Sequence, residues 1–392
     1  MIPYGKQTIS QHDIDAVVDV LQSDWLTQGP KVPEFERTVC EYSHAQYGTA
    51  TNSATSALHI ACLALEVGHN DIVWTSPNSF VASSNCALYC GAKVDFVDID
   101  ANTGNMCIDA LSSKLKHART NNILPKVLIP VHFAGQSCDM QAIAQLAEQY
   151  GFSVIEDASH AVGSKYQDLP VGNCQFSDIC IFSFHPVKIV TTAEGGMALT
   201  NQPELDKKLK LFRSHGITAD KSQLQQEADG PWYYEQQALG FNYRMTDLHA
   251  ALGISQFLQL DQFVATRNQL ASYYDKQLSN HPKIQPLEQS ESVYSAYHLY
   301  VVRVASATAD IHRQLVTQLR SKNIFCHVHY IPIYLQPYYQ ELGFKAGYCA
   351  NAEAYYHSAI TLPLFPALTQ QEQEYIVETL TESLAALEIP TQ

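Results

Sequence analysis

Short apolar runs alternate with amphipathic stretches through the first half of the chain. The apolar runs include residues 72–74, 126–131 and 153–157. The segments between them, for example 140–150, have apolar residues at the spacing of an α-helix. Strands that are apolar on both faces are typical of a mostly parallel sheet covered by helices. The pattern therefore predicts an α/β fold, in which ligands bind beyond the carboxyl ends of the strands.

The pattern changes in the second half of the chain. A helical pattern runs from Thr246 to about Leu278. Shorter elements of both types are predicted beyond it, namely strands at 297–302 and 324–330 and helices at 311–322, 355–360 and 370–387. Because a chain of this length exceeds one simple core, we predict a large domain at 1–250 and, at 251–392, a hinge helix with a small α+β domain.

Charge argues against two classes of partner. The formal net charge is −15, and no run of Lys and Arg creates a local basic surface. Nucleic acids and anionic membranes bind such surfaces, so we expect neither as a partner. No apolar stretch approaches the roughly 20 residues that span a bilayer, and the N-terminal pattern is not that of a signal peptide. We therefore expect a soluble protein.

Cysteine and histidine are frequent, but their spacing does not indicate a metal site. The ten cysteines lack the C-x-x-C spacing of zinc and redox sites, and the sixteen histidines lack an H-E-x-x-H pattern. The cysteines are interpreted as small apolar core residues in a reducing compartment. We predict no metal and a cytoplasmic location.

One lysine follows a buried strand pattern. The apolar run 179–184 leads into a turn with Pro186 and Lys188, and the pair Gly195–Gly196 follows. Apolar surroundings disfavour the ammonium form, and an uncharged lysine amine forms Schiff bases with carbonyl groups. A solvated loop position is the commoner fate of a single lysine. Lys188 is therefore a candidate nucleophile that needs partners elsewhere in the chain.

Small hydroxyl residues mark the start of a predicted helix. In the segment 51–56, hydroxyls and the N–H groups of Ala54 and Thr55 converge at the positive end of the helix dipole. Such an end can hold a phosphate, although most Ser and Thr residues at helix starts only cap the helix.

Three further candidates follow predicted strands. Asp157 ends one strand, Ser183 ends another, and Phe80 follows a third. An aspartate in this position by default caps the next helix. Because the ends of parallel strands meet at one edge of a sheet, these side chains can reach the same site as Lys188.

These candidates fit pyridoxal 5′-phosphate (PLP), which requires a lysine, an acid, an anion cradle and an apolar wall. Lys188 would form the Schiff base, and Asp157 would keep the pyridine nitrogen protonated. The phosphate would be held by Ala54, Thr55 and Ser183, and the ring wall would be Phe80. The absence of a G-x-G-x-x-G motif after the first strand argues against a dinucleotide-binding enzyme.

Motifs along nearly the whole chain resemble the DegT/DnrJ/StrS family of sugar-nucleotide aminotransferases. They lie at residues 52–59, 130–136, 156–161, 183–188 and 240–245. The resemblance implies a fold-type-I PLP-dependent transferase, with a mostly parallel, seven-stranded sheet in the large domain. It also implies a homodimer whose active sites are shared between subunits.

Further motifs, at 211–216 and 328–334, are similar to the branch of the family that acts in pseudaminic acid biosynthesis. That branch implies transfer of an amino group from L-glutamate, through pyridoxamine 5′-phosphate (PMP), to C4 of a UDP-4-keto-6-deoxy-N-acetylhexosamine. The D-configured epimer and a C3 keto sugar remain alternative substrates. A PLP-binding regulator without turnover is the alternative from another class, and a sugar 3-dehydratase is disfavoured because it carries histidine in place of the lysine.

The resemblance also assigns roles to single residues. Asn242 would reach the cofactor phosphate of the partner subunit, and His160 would lie beside the pyridine ring. The residues expected to bind the nucleotide sugar are Tyr4, Asp24, Trp25, Leu26, Thr27, His185, His327, Val328, His329 and Tyr330. Ala54 departs from much of the family, which has glycine there; because alanine tolerates positive φ poorly, the phosphate-binding turn must form slightly differently.

Overall fold

The computed structural model describes residues 1–387, and its strands and helices alternate as the sequence pattern predicts. The strands are β1 (Ile2–Pro3), β2 (Tyr47–Thr51), β3 (Ile72–Thr75), β4 (Lys93–Phe96), β5 (Val127–Ile129), β6 (Ser153–Asp157), β7 (Lys165–Tyr166), β8 (Leu169–Pro170), β9 (Ile179–Ser183), β10 (Gly196–Thr200), β11 (Ile217–Thr218), β12 (Glu235–Gln236), β13 (Ile284–Pro286), β14 (Val293–Tyr294), β15 (Tyr300–Val304), β16 (Ile324–Phe325) and β17 (Ala359–Leu362).

The helices cover both faces of the central sheet or lie in the second half of the chain. They are α1 (Gln11–Leu21), α2 (Lys31–Ser43), α3 (Ala54–Ala64), α4 (Ala82–Tyr89), α5 (Ile108–Thr120), α6 (Met140–Tyr150), α7 (Pro203–Arg213), α8 (Asp247–Phe257), α9 (Leu260–Leu278), α10 (Ala309–Ser321), α11 (Pro337–Glu341), α12 (Ala350–Tyr356) and α13 (Gln370–Ala386), with short 3-10 turns at Phe133–Gly135 and Ile333–Leu335.

A seven-stranded sheet forms the centre of the molecule, in the order β2-β10-β9-β6-β5-β3-β4. Only β10 runs antiparallel to its neighbours, β9 and β2. All residues of β9 and β10 are buried, because helices cover both faces. Asp157 at the end of β6 is in register with Ile181 on β9, so the carboxyl ends of the two strands lie side by side. The predicted α/β fold with a mostly parallel sheet is confirmed.

The predicted helix from Thr246 to Leu278 is wrong, because the chain forms two helices, α8 and α9, with a break between them. Gln259 at the break has φ −105° and ψ 0°. Leu258, one of the apolar residues of the predicted helix, is 83% exposed. The apolar pattern continues through the break, so the sequence alone does not show it.

Two other predicted elements near the end of the chain are wrong. The predicted helix at 355–360 is the end of α12 followed by the buried strand β17, since pairing with β15 overrides the helical spacing. The predicted strand at 324–330 ends at Phe325. Beyond it the Tyr330 N–H donates to the Asn78 side chain at 3.0 Å instead of to a neighbouring strand.

A second hydrophobic core lies in the C-terminal half. It includes Tyr274, Val302, Leu319 and Leu380, and Ile2 from the N-terminus joins it because β1 pairs with β16. The domain boundary near residue 250 stays a prediction, and the last five residues of the predicted second domain, 388–392, lie outside the described residues.

Within residues 1–387 no helix is long and apolar enough to cross a membrane. The same range contains no group of three or more metal-ligating side chains arranged to hold an ion. All ten cysteines of the chain are free thiols, and seven of them are buried, which agrees with their interpretation as small apolar residues.

Candidate active site

A cavity of about 360 Å³ lies beyond the carboxyl ends of β6 and β9. The start of α3 and the segment 327–330 complete its wall. The predicted site residues that line it are Tyr4, Ala54, Thr55, Phe80, Asp157, His160, Ser183, His185, Lys188, His327, His329 and Tyr330. Residues that are far apart in the sequence therefore meet where an α/β sheet is expected to bind its ligand.

Lys188 lies in the turn that follows β9. Its N–H donates to the His185 carbonyl at 2.9 Å, and the Thr192 N–H donates to the Phe184 carbonyl at 3.0 Å, which fixes the turn. The side chain is partly buried. Burial lowers the pKa of the Lys188 ammonium to about 8, and the Asp157 carboxylate opposes this shift. Lys188 therefore loses its proton more readily than an exposed lysine.

Asp157 is 4% exposed and is held by two hydrogen bonds. The Ser83 hydroxyl donates to Oδ2 at 2.6 Å, and the Ser159 N–H donates to Oδ1 at 3.1 Å. These donors fix the carboxylate at the cavity wall. A carboxylate fixed in this way suits a protonated pyridine nitrogen.

Glu156, which immediately precedes Asp157 on β6, belongs to a buried polar network beside the site. Glu156 Oε2 lies 2.7 Å from His132 Nε2. The Cys138 N–H donates to His132 Nδ1 at 3.2 Å, so the imidazole proton resides on Nε2 and points at the carboxylate. The backbone N–H of His132 donates to the backbone carbonyl of Asp157 at 3.0 Å, which connects this network to the end of β6.

The start of α3 presents hydrogen-bond donors to the cavity. Ser53 caps the helix by accepting a hydrogen bond from the Ser56 N–H at 3.1 Å. The N–H groups of Ala54 and Thr55 have no acceptor among residues 1–387. Gly196 packs so closely that a Cβ there would lie 2.5 Å from the Ala54 nitrogen. Free donors at the positive end of a helix fit a phosphate, so the cavity has a suitable place for each part of PLP.

Two predicted ring neighbours differ in their burial. His160 is 5% exposed and accepts a hydrogen bond at Nδ1 from the Ala134 N–H at 3.3 Å. Phe80 is 61% exposed and lies at the mouth of the cavity. The wall role of Phe80 stays a prediction.

Four aromatic and imidazole side chains form one side of the cavity. The ring centroid of Tyr4 lies 5.5 Å from that of His327 and 5.1 Å from that of His329. The ring centroids of His329 and Tyr330 are 4.8 Å apart. Burial lowers the pKa of both histidines, so each imidazole is neutral near neutral pH. This side offers polar groups and flat rings without a fixed charge.

The remaining predicted residues do not line this cavity. Thr27 and Asn242 line a separate cavity of about 370 Å³ together with Arg244. Trp25 and Leu26 are 58% and 45% exposed, beside the exposed Asp24. Val328 lies between two lining histidines but is not itself part of the wall.

Several lining residues were missed from the sequence. Ser83 and Ser159 bind the Asp157 carboxylate, and Glu194 lines the cavity near the glycine pair. A serine-rich stretch at 76–84 was the one signal for Ser83. Its pairing with an aspartate on another element has no local signature.

Comparisons with known proteins identify the family of the chain. The DegT/DnrJ/EryC1/StrS aminotransferase family matches residues 7–381. The UDP-4-amino-4,6-dideoxy-N-acetyl-beta-L-altrosamine transaminase of Campylobacter jejuni is 37% identical over 380 residues, which cover 97% of this chain and 96% of that protein.

Solved structures show the same fold. Helicobacter pylori PseC, an aminotransferase involved in the biosynthesis of pseudoaminic acid, has a TM-score of 0.89 at 31% identity, covering 98% of this chain and 100% of its own. The sugar aminotransferase Spr1654 of Streptococcus pneumoniae, in its PMP form, has a TM-score of 0.90 at 32% identity. The match covers 99% of this chain and 100% of that chain. The latter protein has also been solved in a PLP form.

The fold and the site define a PLP-dependent sugar aminotransferase. The chain belongs to the DegT/DnrJ/EryC1/StrS aminotransferase family. PLP is its cofactor, and the arrangement of Lys188, Asp157 and the start of α3 is the part of the structure that suits it.

Proposed function

We propose that this protein transfers the amino group of L-glutamate to C4 of UDP-2-acetamido-2,6-dideoxy-β-L-arabino-hexos-4-ulose, in pseudaminic acid biosynthesis. The observation that carries the proposal is that Lys188, Asp157 and the free donors of α3 line one cavity. The identity to the C. jejuni altrosamine transaminase, over nearly the full length of both chains, supports this sugar over others.

PLP, when bound, supplies an electron sink for the electrons of a bond broken at the α-carbon. In the proposal the Asp157 carboxylate binds the protonated ring nitrogen, and Ser83 and Ser159 keep that carboxylate in place. Ala54, Thr55 and Ser183 hold the phosphate. These contacts orient the reactive part of the cofactor toward Lys188.

Lys188 moves protons in both halves of the reaction. Its Nζ takes a proton from the α-carbon of glutamate and, in the second half, delivers a proton to C4 of the sugar. A lysine with a pKa of about 8 is suited to both tasks near neutral pH, since both protonation states are then accessible. The neutral side formed by Tyr4, His327, His329 and Tyr330 then holds the sugar.

The proposal includes a homodimer with shared active sites. Asn242 and Thr27 face a different cavity from that of Lys188, which supports a role for them in the site of a second copy. Exposed aromatic residues near them, such as Trp25, would be covered in such a dimer. A cytoplasmic location also belongs to the proposal, and the free thiols of all ten cysteines support a reducing compartment.

The experiment that tests the substrate uses both epimers of the keto sugar. The purified enzyme with PLP and L-glutamate is incubated separately with the β-L-arabino and α-D-xylo UDP-4-keto sugars, and NMR identifies the products. The proposal predicts the 4-amino sugar from the β-L-arabino epimer, at a higher kcat/KM than from the other. Amination of the α-D-xylo epimer alone, or at C3, would contradict it.

A further inference from the structure

His160 and Tyr330 are joined by a hydrogen bond at the cavity wall. Tyr330 Oη lies 3.2 Å from His160 Nε2, and the two rings are inclined by only 21°. An imidazole nitrogen can donate or accept, and so can a phenol oxygen. The direction of this hydrogen bond therefore depends on which nitrogen of His160 carries the proton.

Ala134 determines the position of that proton. The Ala134 N–H donates to His160 Nδ1, so Nδ1 accepts, and the proton of the neutral ring resides on Nε2. Burial lowers the pKa of His160 well below its usual range, and the positive charge of Lys188 and the neighbouring His329 act in the same direction. The ring is therefore neutral near pH 7, and Nε2 donates to Tyr330.

The backbone around Ala134 is held in an unusual conformation. Ala134 has φ 59° and ψ 4°, in the left-handed region that costs a residue with a Cβ about 1 kcal/mol or more. The Leu299 N–H donates to the Ala134 carbonyl at 3.2 Å, and the Ala296 N–H donates to the Gly135 carbonyl at 3.3 Å. Such strain is frequent at functional sites, and here it accompanies an N–H directed at His160.

The hydroxyl proton of Tyr330 is not taken up by the hydrogen bond with His160, in which the tyrosine oxygen is the acceptor. Burial raises the pKa of the phenol, and the neighbouring Tyr4 and Asp157 add to this, so Tyr330 is protonated. Its oxygen accepts from His160, and no other side chain or carbonyl within residues 1–387 accepts its proton. Since Tyr330 lines the cavity, that proton is available to a bound ligand.

We propose that Tyr330 donates a hydrogen bond to the carbonyl oxygen of the keto sugar and that His160 is the positioning residue that directs this donor. The inference rests on the proposed function for the identity of the substrate. A hydrogen-bond donor that is already oriented in the free enzyme stabilises the negative charge that develops on the carbonyl oxygen during the reaction. His160 thus links the strained turn at Ala134 to the sugar through Tyr330.

The first test compares the two halves of the reaction. Tyr330→Phe is expected to lower the rate of the sugar half-reaction by about 10²-fold or more, as loss of one such donor does elsewhere. The glutamate half-reaction, followed by the absorbance of the bound cofactor, changes by less than roughly threefold, because this signal reports proton transfer from the α-carbon of glutamate, before the carbonyl group of the keto acid forms. The matched control is Tyr338→Phe, since Tyr338 is 57% exposed. Equal losses in both halves would overturn the role of Tyr330.

The second test concerns His160. Glutamine can accept from the Ala134 N–H with its oxygen and donate to Tyr330 with its nitrogen, whereas leucine can do neither. His160→Gln is therefore expected to retain much more of the sugar half-reaction than His160→Leu. When the sugar half-reaction is expressed relative to the glutamate half-reaction, which reports any effect on the bound cofactor, His160→Leu combined with Tyr330→Phe should lose no more than Tyr330→Phe alone, because the two residues act as one unit. Losses that multiply would overturn the coupling.

The third test does not require a substrate. 15N NMR of the histidine-labelled, PLP-loaded enzyme, with the His160 signal assigned by its absence in His160→Gln, is expected to show the proton on Nε2. A proton on Nδ1 overturns the inference alone. A wild-type enzyme that leaves every UDP-4-keto sugar unchanged overturns the proposed function and the substrate named here. Melting temperature and the spectrum of bound PLP verify that each variant is folded.

Discussion

The Ser83 hydroxyl donates to Asp157 Oδ2 at 2.6 Å and so ties α4 to the end of β6. Ser83 is fully buried, and Ser79 Oγ lies 2.7 Å from its oxygen. Because Ser83 gives its proton to the carboxylate, it accepts the proton of Ser79. This chain of hydroxyls fixes one carboxylate oxygen, while the other remains oriented by the Ser159 N–H.

Ser83→Ala is expected to weaken PLP binding. A hydrogen bond to a charged group contributes about 1.5–3 kcal/mol, so the Kd for PLP should rise by roughly tenfold or more. The measurement is a titration of the apoprotein with PLP by absorbance. Ser84→Ala is the matched control, because Ser84 is the next residue on α4 and contacts Tyr339 instead of Asp157. An unchanged Kd in Ser83→Ala would show that this hydrogen bond does not hold the site.

The pKa of Lys188 predicts how apoprotein reacts with PLP at different pH. Burial lowers this pKa to about 8, so the uncharged amine becomes the main form above pH 8 and the rate of recombination with PLP should rise through that pH. The Asp157 charge raises the pKa of Lys188, so Asp157→Asn should move the midpoint to lower pH. Stopped-flow absorbance measures both profiles. A midpoint near that of an ordinary lysine, or a shift to higher pH in Asp157→Asn, would contradict this account.

Gly196→Ala tests the cradle at the start of α3. A Cβ at this position would lie 2.5 Å from the Ala54 nitrogen and 2.5 Å from the Ser53 carbonyl carbon, so the helix start must move. We expect a loss of PLP affinity of about tenfold or more, because the N–H groups no longer converge on the phosphate. Gly68→Ala is the control, since a Cβ there has no neighbour within 4 Å. Similar affinities in the two variants would argue against a phosphate at α3.

Mixing two inactive variants tests whether active sites are shared. If Asn242 serves the site of the partner subunit, Lys188→Ala and Asn242→Ala should complement each other after the subunits are mixed. Half of the randomly mixed dimers then contain one intact site, so roughly a quarter of the wild-type activity should return. Size-exclusion chromatography verifies that dimers re-form. Mixed dimers without activity would place Asn242 and Lys188 in the same subunit's site.

The sequence predicts the sheet and the lysine better than the connections around them. Asp157, Ser183 and Lys188 were found because each follows an apolar run, and the ends of such runs meet at one edge of a parallel sheet. The break at Gln259 was missed because apolar spacing continues across it. Local patterns report on neighbours three or four residues away and contain nothing about where the chain turns against another element.

The same limit applies to the site. The hydrogen bonds of Ser83 to Asp157 and of Ala134 to His160 join residues from different elements, so no spacing rule reveals them. Tyr330 was expected to bind substrate because of the resemblance of its motif, but the direction of its proton follows only from the tautomer of His160. Placement of the buried strands of the central sheet is thus visible in the sequence, whereas orientation of side chains is not.

Lys188 is the lysine that binds PLP in the proposed function. Borohydride reduction of the PLP-loaded enzyme makes the link permanent, and peptide mass spectrometry identifies the modified residue. We predict one modified lysine, Lys188, and no modification in Lys188→Ala, which should also have no measurable turnover. Modification of another lysine, such as Lys6, which lines a small pocket together with Lys188, or normal transamination by Lys188→Ala, would contradict this role of Lys188.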